Sequence, residues 1–215
     1  MKPVLHDYSR SSASYRVRIA LNLKGVEYQQ RAVSLVDGAQ KSPEYRALNP
    51  QGFVPMLEMD GQRLTQSLAI IVYLDQRFPD PPLVPRDPVA GAHVRSLALT
   101  VACDIHPLNN LRVLGYLKSE LGQDQESVDR WYRHWVAEGL AALEALAATR
   151  AGRFLFGDQP TLADVCLVPQ LYNARRFAVP LEPYPTLLRA DAAAAALPAF
   201  AAAHPDQHAP KETMP

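Results

Sequence analysis

The chain has 215 residues, 48% of them hydrophobic, which is enough for one large domain or two small domains with a proper core. Its 22 basic and 22 acidic side chains cancel, so the charge indicates neither a nucleic-acid partner nor a general affinity for membranes. Two cysteines predict no disulfide framework, and the scattered histidines do not have metal-ligand spacing. No signal peptide or membrane-spanning helix is expected, so we predict a cytoplasmic protein without a metal site.

The first 78 residues carry alternating strand and helix signals. Tyr15, Val17 and Ile19 alternate with arginines as in a strand, but the preceding serines are good N-caps, and the segment is long for a strand. We therefore predict a helix there, ended by Lys24-Gly25. The remaining elements are strands at 3–8 and 27–34, a helix at 42–48, a hairpin of 54–59 and 62–65 around Asp60-Gly61, and a helix at 66–78. This order indicates an α/β layer fold.

Five prolines at 79–88 predict a stiff linker, after which the strand signals largely stop. We place an N-terminal domain at 1–80, a linker at 79–87 and an all-helical domain at 88–215. Asp87-Pro88 is a good helix start, and apolar residues at helical spacing predict one long helix as far as Leu108. Further helices are predicted at 124–148, 161–178 and 186–203, followed by a frayed tail over the last eleven residues.

The strongest chemical signal is the group of serines at the first strand-to-helix turn. A helix start presents free N–H groups and a partial positive charge, which together favour an anion such as a thiolate. A hydroxyl of Ser11 or Ser12 would donate a hydrogen bond to that thiolate and lower the pKa of its thiol. Judged on local sequence alone, these serines are better explained as capping residues.

Two further signals lie in the first domain. Val54-Pro55 stands at a strand start, and a cis bond there would let Val54 present its backbone to a peptide-like ligand. Gln66-Ser67 opens a helix that is able to bind a carboxylate. Taken alone, the first is better explained as an ordinary strand entry and the second as an ordinary helix cap.

In the second domain, Cys103, His106 and Asn110 are spaced to share one face of the predicted long helix, which is either solvated or lines a cleft. Pro107 would kink that helix. Thr161 and Asp164 match a capping box. Arg175 and Arg176 follow on the same helix, and an arginine facing a cleft would suit a carboxylate.

Six segments, taken together and in order, carry a family resemblance: SSASYRVRIALNLKGVEY, ALNPQGFVPML, LTQSLAIIVYL, CDIHPLNNLRVLGYL, GDQPTLADVCLVPQLYNARRF and PYPTLLR. They resemble the zeta-class glutathione transferases, most closely the bacterial maleylacetoacetate isomerases. The resemblance covers roughly residues 3–205. Ala13 stands where the family motif usually has cysteine, and Tyr15 replaces a common tryptophan.

The resemblance implies a thioredoxin-like α/β N-terminal domain, an all-α C-terminal domain, glutathione as cofactor, and a homodimer. It implies that Ser11 stabilises the glutathione thiolate with help from Ser12, and that Arg10 and Arg176 are candidates for binding substrate carboxylates. Expected cofactor-binding residues are Gln51, Val54, Pro55, Gln66, Ser67, His106 and Asn110.

The implied reaction is the cis–trans isomerisation of maleylacetoacetate to fumarylacetoacetate, a step of tyrosine and phenylalanine breakdown. The alternatives within the class are a maleylpyruvate isomerase and a transferase or dehalogenase acting on small electrophiles. An alternative of another kind is a glutathione-binding protein without catalytic activity, because a fold alone does not imply activity.

Overall fold

The computed structural model describes residues 2–209, which divide into two units of different architecture. Unit 1 comprises residues 2–81 and 197–209, and unit 2 comprises Pro82–Ala196. The predicted limits are 1–80 and 88–215. The structure differs from them at the C-terminus, because residues 197–209, which include the last helix, belong to unit 1. The linker predicted at 79–87 contains a cis peptide bond, Asp80-Pro81.

Unit 1 is built on a mixed four-stranded sheet in the order β2-β1-β3-β4. Strand β1 pairs in parallel with β2 and antiparallel with β3, and β3 forms a hairpin with β4. The strands are β1 (Val4–Asp7), β2 (Gln29–Ala32), β3 (Met56–Met59) and β4 (Gln62–Thr65); the helices are α1 (Ser12–Leu23), α2 (Pro43–Leu48), α3 (Ser67–Arg77) and, from the C-terminus, α9 (Pro198–Ala203). The predicted α/β order of the N-terminal domain is confirmed.

Local sequence explains where these elements begin and turn. The prediction of a helix rather than a strand after the serines is confirmed, with Ser11 as N-cap of α1. Ser42 caps α2 in the same way through the Tyr45 amide. The hairpin turns at Asp60 and Gly61, whose φ angles of 49° and 73° match a two-residue turn with both residues left-handed.

Helix α9 was not predicted as a separate element. The sequence predicts one helix over 186–203, but Leu197 is extended and Pro198 starts a new helix, so α8 ends at Ala195. Helix α9 packs against α1, and the Asn22 side chain donates to the Ala199 carbonyl at 2.9 Å. Of the tail predicted to fray, 205–209 are described and begin with a short 3-10 turn, Pro205–Gln207, while 210–215 lie outside the described residues.

Unit 2 is all helical, as predicted. Its helices are α4 (Pro88–Leu99), α5 (Leu111–Ser119), α6 (Gln125–Ala147), α7 (Leu162–Arg176) and α8 (Pro185–Ala195). The predicted Asp87 cap and the Thr161–Asp164 capping box are both present. None of the helices within residues 2–209 is long and apolar enough to cross a membrane.

The long helix predicted through Leu108 is wrong beyond Leu99. The backbone widens into a π-helical turn at Thr100–Ile105, tightens into a 3-10 turn at His106–Asn109, and breaks at Asn110, which is extended. Pro107 contributes to this break because it has no N–H for a helical hydrogen bond. Helix α6 lies so close to the widened turn that a Cβ atom on Gly139 would sit 2.2 Å from the Ile105 side chain.

Candidate functional site

The turn between β1 and α1 holds the two serines predicted to act on a thiolate. The Ser11 hydroxyl oxygen accepts a hydrogen bond from the Ser14 amide at 3.2 Å, so the predicted capping role is real. A hydroxyl that accepts still has its own proton to donate, so the cap leaves Ser11 able to bind an anion. Ser11 is half-buried, whereas Ser12 is only 4% exposed, which favours Ser11 as the group that meets a ligand.

The first turn of α1 carries no acidic side chain, so the partial positive charge of the helix start is not already neutralised there. Arg10 precedes Ser11 and is exposed, and it forms no hydrogen bond or ion pair with any other residue in the described range 2–209. The turn therefore combines a hydroxyl donor, the positive end of a helix and a nearby cation.

A second loop, residues 49–55, is held rigidly before β3. The Phe53 carbonyl accepts from the Tyr45 hydroxyl at 2.7 Å and from the Asn49 side-chain amide at 2.8 Å. Burial raises the pKa of Tyr45 to about 12, so this phenol remains a donor at neutral pH. The predicted cis bond at Val54-Pro55 is present. Among the described residues, no group hydrogen-bonds to the Val54 backbone N–H or C=O.

Gly52 allows this loop to pass close to Gln40, a residue that the sequence analysis did not select. Its φ is 64°, and an added Cβ atom would lie 2.8 Å from the Gln40 carbonyl oxygen, so only glycine fits. The side-chain oxygen of Gln40 is buried and has no partner within the described chain. Gln40 is therefore a further candidate for binding a ligand beside the 49–55 loop, and nothing in its local sequence marks it.

The third loop leads from β4 into α3. Gln66 has φ 68° and ψ 114°, a strained conformation for a residue other than glycine, and such strain concentrates at functional sites. Its side-chain amide donates to the Gln51 side-chain oxygen at 2.9 Å, so the structure brings these two predicted residues together. The buried Ser67 hydroxyl accepts from the Arg16 guanidinium at 3.4 Å. No side-chain cap occupies the α3 N-terminus.

Strand register places these three loops side by side. His6, one residue before the end of β1, pairs with Met56 at the start of β3, and Met56 pairs with Thr65 at the end of β4. The turn holding Ser11, the loop holding Val54 and the turn holding Gln66 thus leave the sheet at one end. Together they offer an anion site, a free backbone edge and a second helix start, a set suited to a short peptide with a thiol and a carboxylate.

The site residues predicted in unit 2 lie on irregular turns and not on one regular helix. Cys103, His106 and Asn110 do not share a face of one regular helix, because the π and 3-10 turns intervene. His106 and Asn110 are still neighbours, with 3.5 Å between His106 Nε2 and Asn110 Nδ2. Asn110 is the N-cap of α5 and accepts from the Arg112 amide at 3.1 Å.

The two arginines at the end of α7 differ in their partners. Arg175 forms a salt bridge with Asp191 at 2.6 Å, so its charge is already paired within unit 2. Arg176 donates to Asn173 at 3.2 Å and lies 5.8 Å from the ring centroids of Tyr172 and Phe177, and it pairs with no carboxylate among residues 2–209. Arg176 is thus the better of the two for an external carboxylate.

Helix α5 was missed by the sequence analysis, although Asn110 as N-cap and the amphipathic pattern after it were available signals. A largely apolar depression of about 580 Å³ lies along it. Its lining residues are Arg112, Val113, Tyr116, Leu117 and Trp131.

The fold consists of a thioredoxin-like domain, in which one end of the sheet is suited to a short peptide, followed by an all-helical domain. Comparison with known families agrees with this class. Residues 5–82 match the family described as "Glutathione S-transferase, N-terminal domain", and 125–206 match "Glutathione S-transferase, C-terminal domain". The chain belongs to the glutathione S-transferase family.

Similar proteins of known name indicate a smaller group of enzymes within this family. The chain is 52% identical to the maleylacetoacetate isomerase of Pseudomonas aeruginosa over 94% of its own length and 95% of the relative's. It is 47% identical to the maleylpyruvate isomerase of Ralstonia sp. over 94% and 96% of the two chains. The predicted zeta-class resemblance and glutathione transferase fold are confirmed.

Two solved structures lie close to this fold. A holo maleylpyruvate isomerase, described as a bacterial zeta-class glutathione S-transferase, superposes with a TM-score of 0.92 at 47% identity, covering 94% of this chain and 96% of that one. The maleylacetoacetate isomerase of Anaeromyxobacter dehalogenans, solved with glutathione in its active site, gives 0.87 at 46% identity, covering 100% and 98%.

Proposed function

We propose that this protein is a glutathione-dependent cis–trans isomerase that converts maleylacetoacetate to fumarylacetoacetate. The observation that carries the proposal is the strand register that brings the Ser11, Val54 and Gln66 loops to one end of the sheet. Relatives at 52% and 45% identity are maleylacetoacetate isomerases, and a similar structure holds glutathione.

The chemistry begins with the thiolate. Rotation about a C=C bond is blocked, so the thiolate sulfur adds to one alkene carbon and the displaced electron pair moves onto the conjugated carbonyl oxygen as an enolate. The resulting C–C single bond rotates, the enolate re-forms the double bond in the trans geometry, and the sulfur leaves as thiolate. Glutathione is regenerated and therefore acts as a cofactor.

We assign the thiolate to the open N-terminus of α1. The Ser11 hydroxyl donates to the sulfur while its oxygen keeps capping the helix, and the helix amides lower the thiol pKa further. Ser12 supports the same turn. The motif's usual cysteine is replaced by Ala13, so in this chain the two serines and the helix start carry this role.

The rest of glutathione would bind along the edge of the sheet. The free N–H and C=O of Val54, presented by the cis bond to Pro55, pair with the backbone of the glutathione cysteine. Gln66 and Ser67 bind the γ-glutamyl carboxylate, with Gln51 bonded to Gln66 beside them. We assign His106 and Asn110 of unit 2 to the cofactor as well.

The substrate carries two carboxylates, and arginine binds a carboxylate through two parallel hydrogen bonds. Arg10 and Arg176 are our candidates because neither is paired with an acidic residue within the described chain. Arg175 is excluded from this role by its bond to Asp191.

Maleylpyruvate is the second candidate substrate, because the chain superposes on a maleylpyruvate isomerase as well as on a maleylacetoacetate isomerase, each with a TM-score of 0.92. In both substrates the cis alkene lies between a carboxylate and a ketone, and the two differ only at the far end of the chain beyond that ketone. The same site would also allow transfer or dehalogenation of small electrophiles.

The deciding experiment measures isomerisation of maleylacetoacetate and maleylpyruvate side by side, with and without glutathione. We expect glutathione-dependent turnover of both, with the higher kcat/KM for maleylacetoacetate. A higher kcat/KM for maleylpyruvate would transfer the assignment to that reaction. Glutathione binding without turnover of either substrate would make this a binding protein and contradict the proposal.

We also propose that the enzyme is a cytoplasmic homodimer, as the family resemblance implies. Cys103 and Cys166 are both free thiols, which suits a reducing compartment. Light scattering during gel filtration should give twice the chain mass of 23.8 kDa, and a monomer mass would contradict the dimer.

A further inference from the structure

Arg18 lies at the centre of unit 1 and takes no part in the chemistry assigned above. Its side chain is fully buried on α1, and one guanidinium nitrogen donates to both carboxylate oxygens of Asp7 at 2.9 and 2.8 Å. A buried ion pair is weak evidence for stability, because the cost of desolvating both charges often equals the attraction between them. The remaining contacts of Arg18 are therefore more informative.

The other guanidinium nitrogens bind two backbone carbonyls from distant parts of the chain. One donates at 2.9 Å to the carbonyl of Ser9, two residues before Ser11, and the other donates at 3.0 Å to the carbonyl of Ala203, at the end of α9. A planar guanidinium can make all these bonds at once, whereas a lysine ammonium on its flexible stem has three donors and no fixed fork. Arg18 thus joins the Ser11 turn to the C-terminal segment.

The Asp7 carboxylate extends this connection to β2. It accepts from the Gln30 side-chain amide at 2.7 Å, and the oxygen of that same amide lies 2.8 Å from the ring nitrogen Nδ1 of His208. The other ring nitrogen of His208 lies 2.8 Å from the Ala202 carbonyl. Residues 197–209 are therefore tied to the Asp7–Arg18 pair at two points.

We propose that Arg18 is a positioning residue for the thiolate, and that through it the C-terminal segment 197–209 sets the geometry of the Ser11 turn. This inference rests on the proposed function, since it concerns how well Ser11 meets the glutathione sulfur. Ser11 is fixed from one side by its own amide, which donates to the Tyr8 carbonyl at 2.9 Å, and from the other by the Arg18 bond to Ser9. Releasing Ser9 lets the hydroxyl move away from the sulfur.

The test compares Arg18→Lys with Asn22→Ala. Lysine keeps the charge opposite Asp7 but loses the fork to Ser9 and Ala203. Asn22→Ala removes a different α1–α9 hydrogen bond, the one from Asn22 to the Ala199 carbonyl, and leaves Ser9 untouched. The pKa of bound glutathione is read from the ultraviolet absorbance of its thiolate against pH, and affinity for S-methylglutathione, which has no thiol, is measured beside it.

We expect Arg18→Lys to raise the bound thiol pKa by about one unit, which is a tenfold smaller thiolate fraction below that pKa. Its affinity for S-methylglutathione should change less than threefold, and Asn22→Ala should lower the melting temperature without moving the thiol pKa. If circular dichroism shows that Arg18→Lys does not fold, the double variant Asp7→Asn/Arg18→Gln is used in its place. This variant removes both charges together, and we expect it to raise the bound thiol pKa by the same amount.

An unmoved thiol pKa in a folded Arg18 variant would overturn the inference, as would an equal shift in Asn22→Ala, which would reflect general loosening of α9. These results differ from a failure of the proposed function. In that case the wild-type protein itself would bind glutathione without lowering its thiol pKa, or would not bind it.

Discussion

Helices α1 of unit 1 and α7 of unit 2 both begin with a hydroxyl residue at the N-cap, yet one start is open and the other is closed. In α7, the Thr161 hydroxyl donates to Asp164 at 3.0 Å, and the same carboxylate accepts from the Thr161 and Leu155 amides at 2.8 and 2.9 Å. In α1, the equivalent third helical position is Ser14.

The residue three places after the cap therefore decides whether a helix start can bind an external anion. Asp164 supplies the anion that the α7 terminus favours, so that terminus is satisfied within the fold. Ser14 brings no charge, so the α1 terminus remains available for an external anion. The Ser/Thr cap is shared, and the acid at the third position separates a structural cap from a binding site.

The largest effect is expected when the acidic residue at the N-terminus of α7 is removed. Asp164→Ala removes one buried carboxylate that accepts from three groups, and we expect it to lower the free energy of unfolding by about 3 kcal/mol or more. Both tryptophans, Trp131 and Trp135, lie in unit 2, so urea unfolding followed by their fluorescence reports on it. Asp124→Ala, at the exposed cap of α6, is the control and should cost about 1 kcal/mol. Equal losses would contradict the account.

A smaller effect should appear in the pH dependence of the same site. Burial raises the pKa of Asp164 above its usual 3.8, against the opposing effect of its hydrogen-bond donors. Between the unfolded and the folded pKa the native state therefore binds more protons, so this carboxyl's contribution to stability falls as pH rises through that window. The stability of the wild type minus that of Asp164→Asn should decline over this range, and a rising difference would mean that the donors dominate.

The smallest effect is expected at Ser14. Its hydroxyl is buried and has no partner among residues 2–209, so Ser14→Ala removes no hydrogen bond seen there. The melting temperature, followed by circular dichroism, should change by an amount equivalent to less than about 0.5 kcal/mol. A loss of more than about 1.5 kcal/mol would show that the hydroxyl has a role beyond this account.

Much of the fold followed from local signals. The capping serines and Lys24-Gly25 outweighed the alternating pattern that favoured a strand over α1, and Asp60-Gly61 located the hairpin. Ser11, Val54 and Gln66 were also selected locally, but each had an ordinary structural explanation. Only the pairing of His6, Met56 and Thr65 brings their loops together.

The failures share a physical cause. The break after Leu99 and the separate α9 depend on contacts between distant segments, such as Gly139 against Ile105 and Asn22 against Ala199. A helical period cannot reveal such contacts. Arg18 was passed over for the same reason, since its partners lie 9, 11 and 185 positions away along the chain.

The proposed mechanism requires that Ser11, at the open start of α1, stabilises the glutathione thiolate. The most direct test is the titration of bound glutathione in wild type, Ser11→Ala and Ser12→Ala by thiolate absorbance. A charge-assisted hydrogen bond is worth roughly 1.5–3 kcal/mol, so Ser11→Ala should raise the thiol pKa by about 1–2 units while Ser12→Ala raises it less. Activity lost near neutral pH should partly return at higher pH. An unmoved thiol pKa in Ser11→Ala, with glutathione still bound, would contradict the claim.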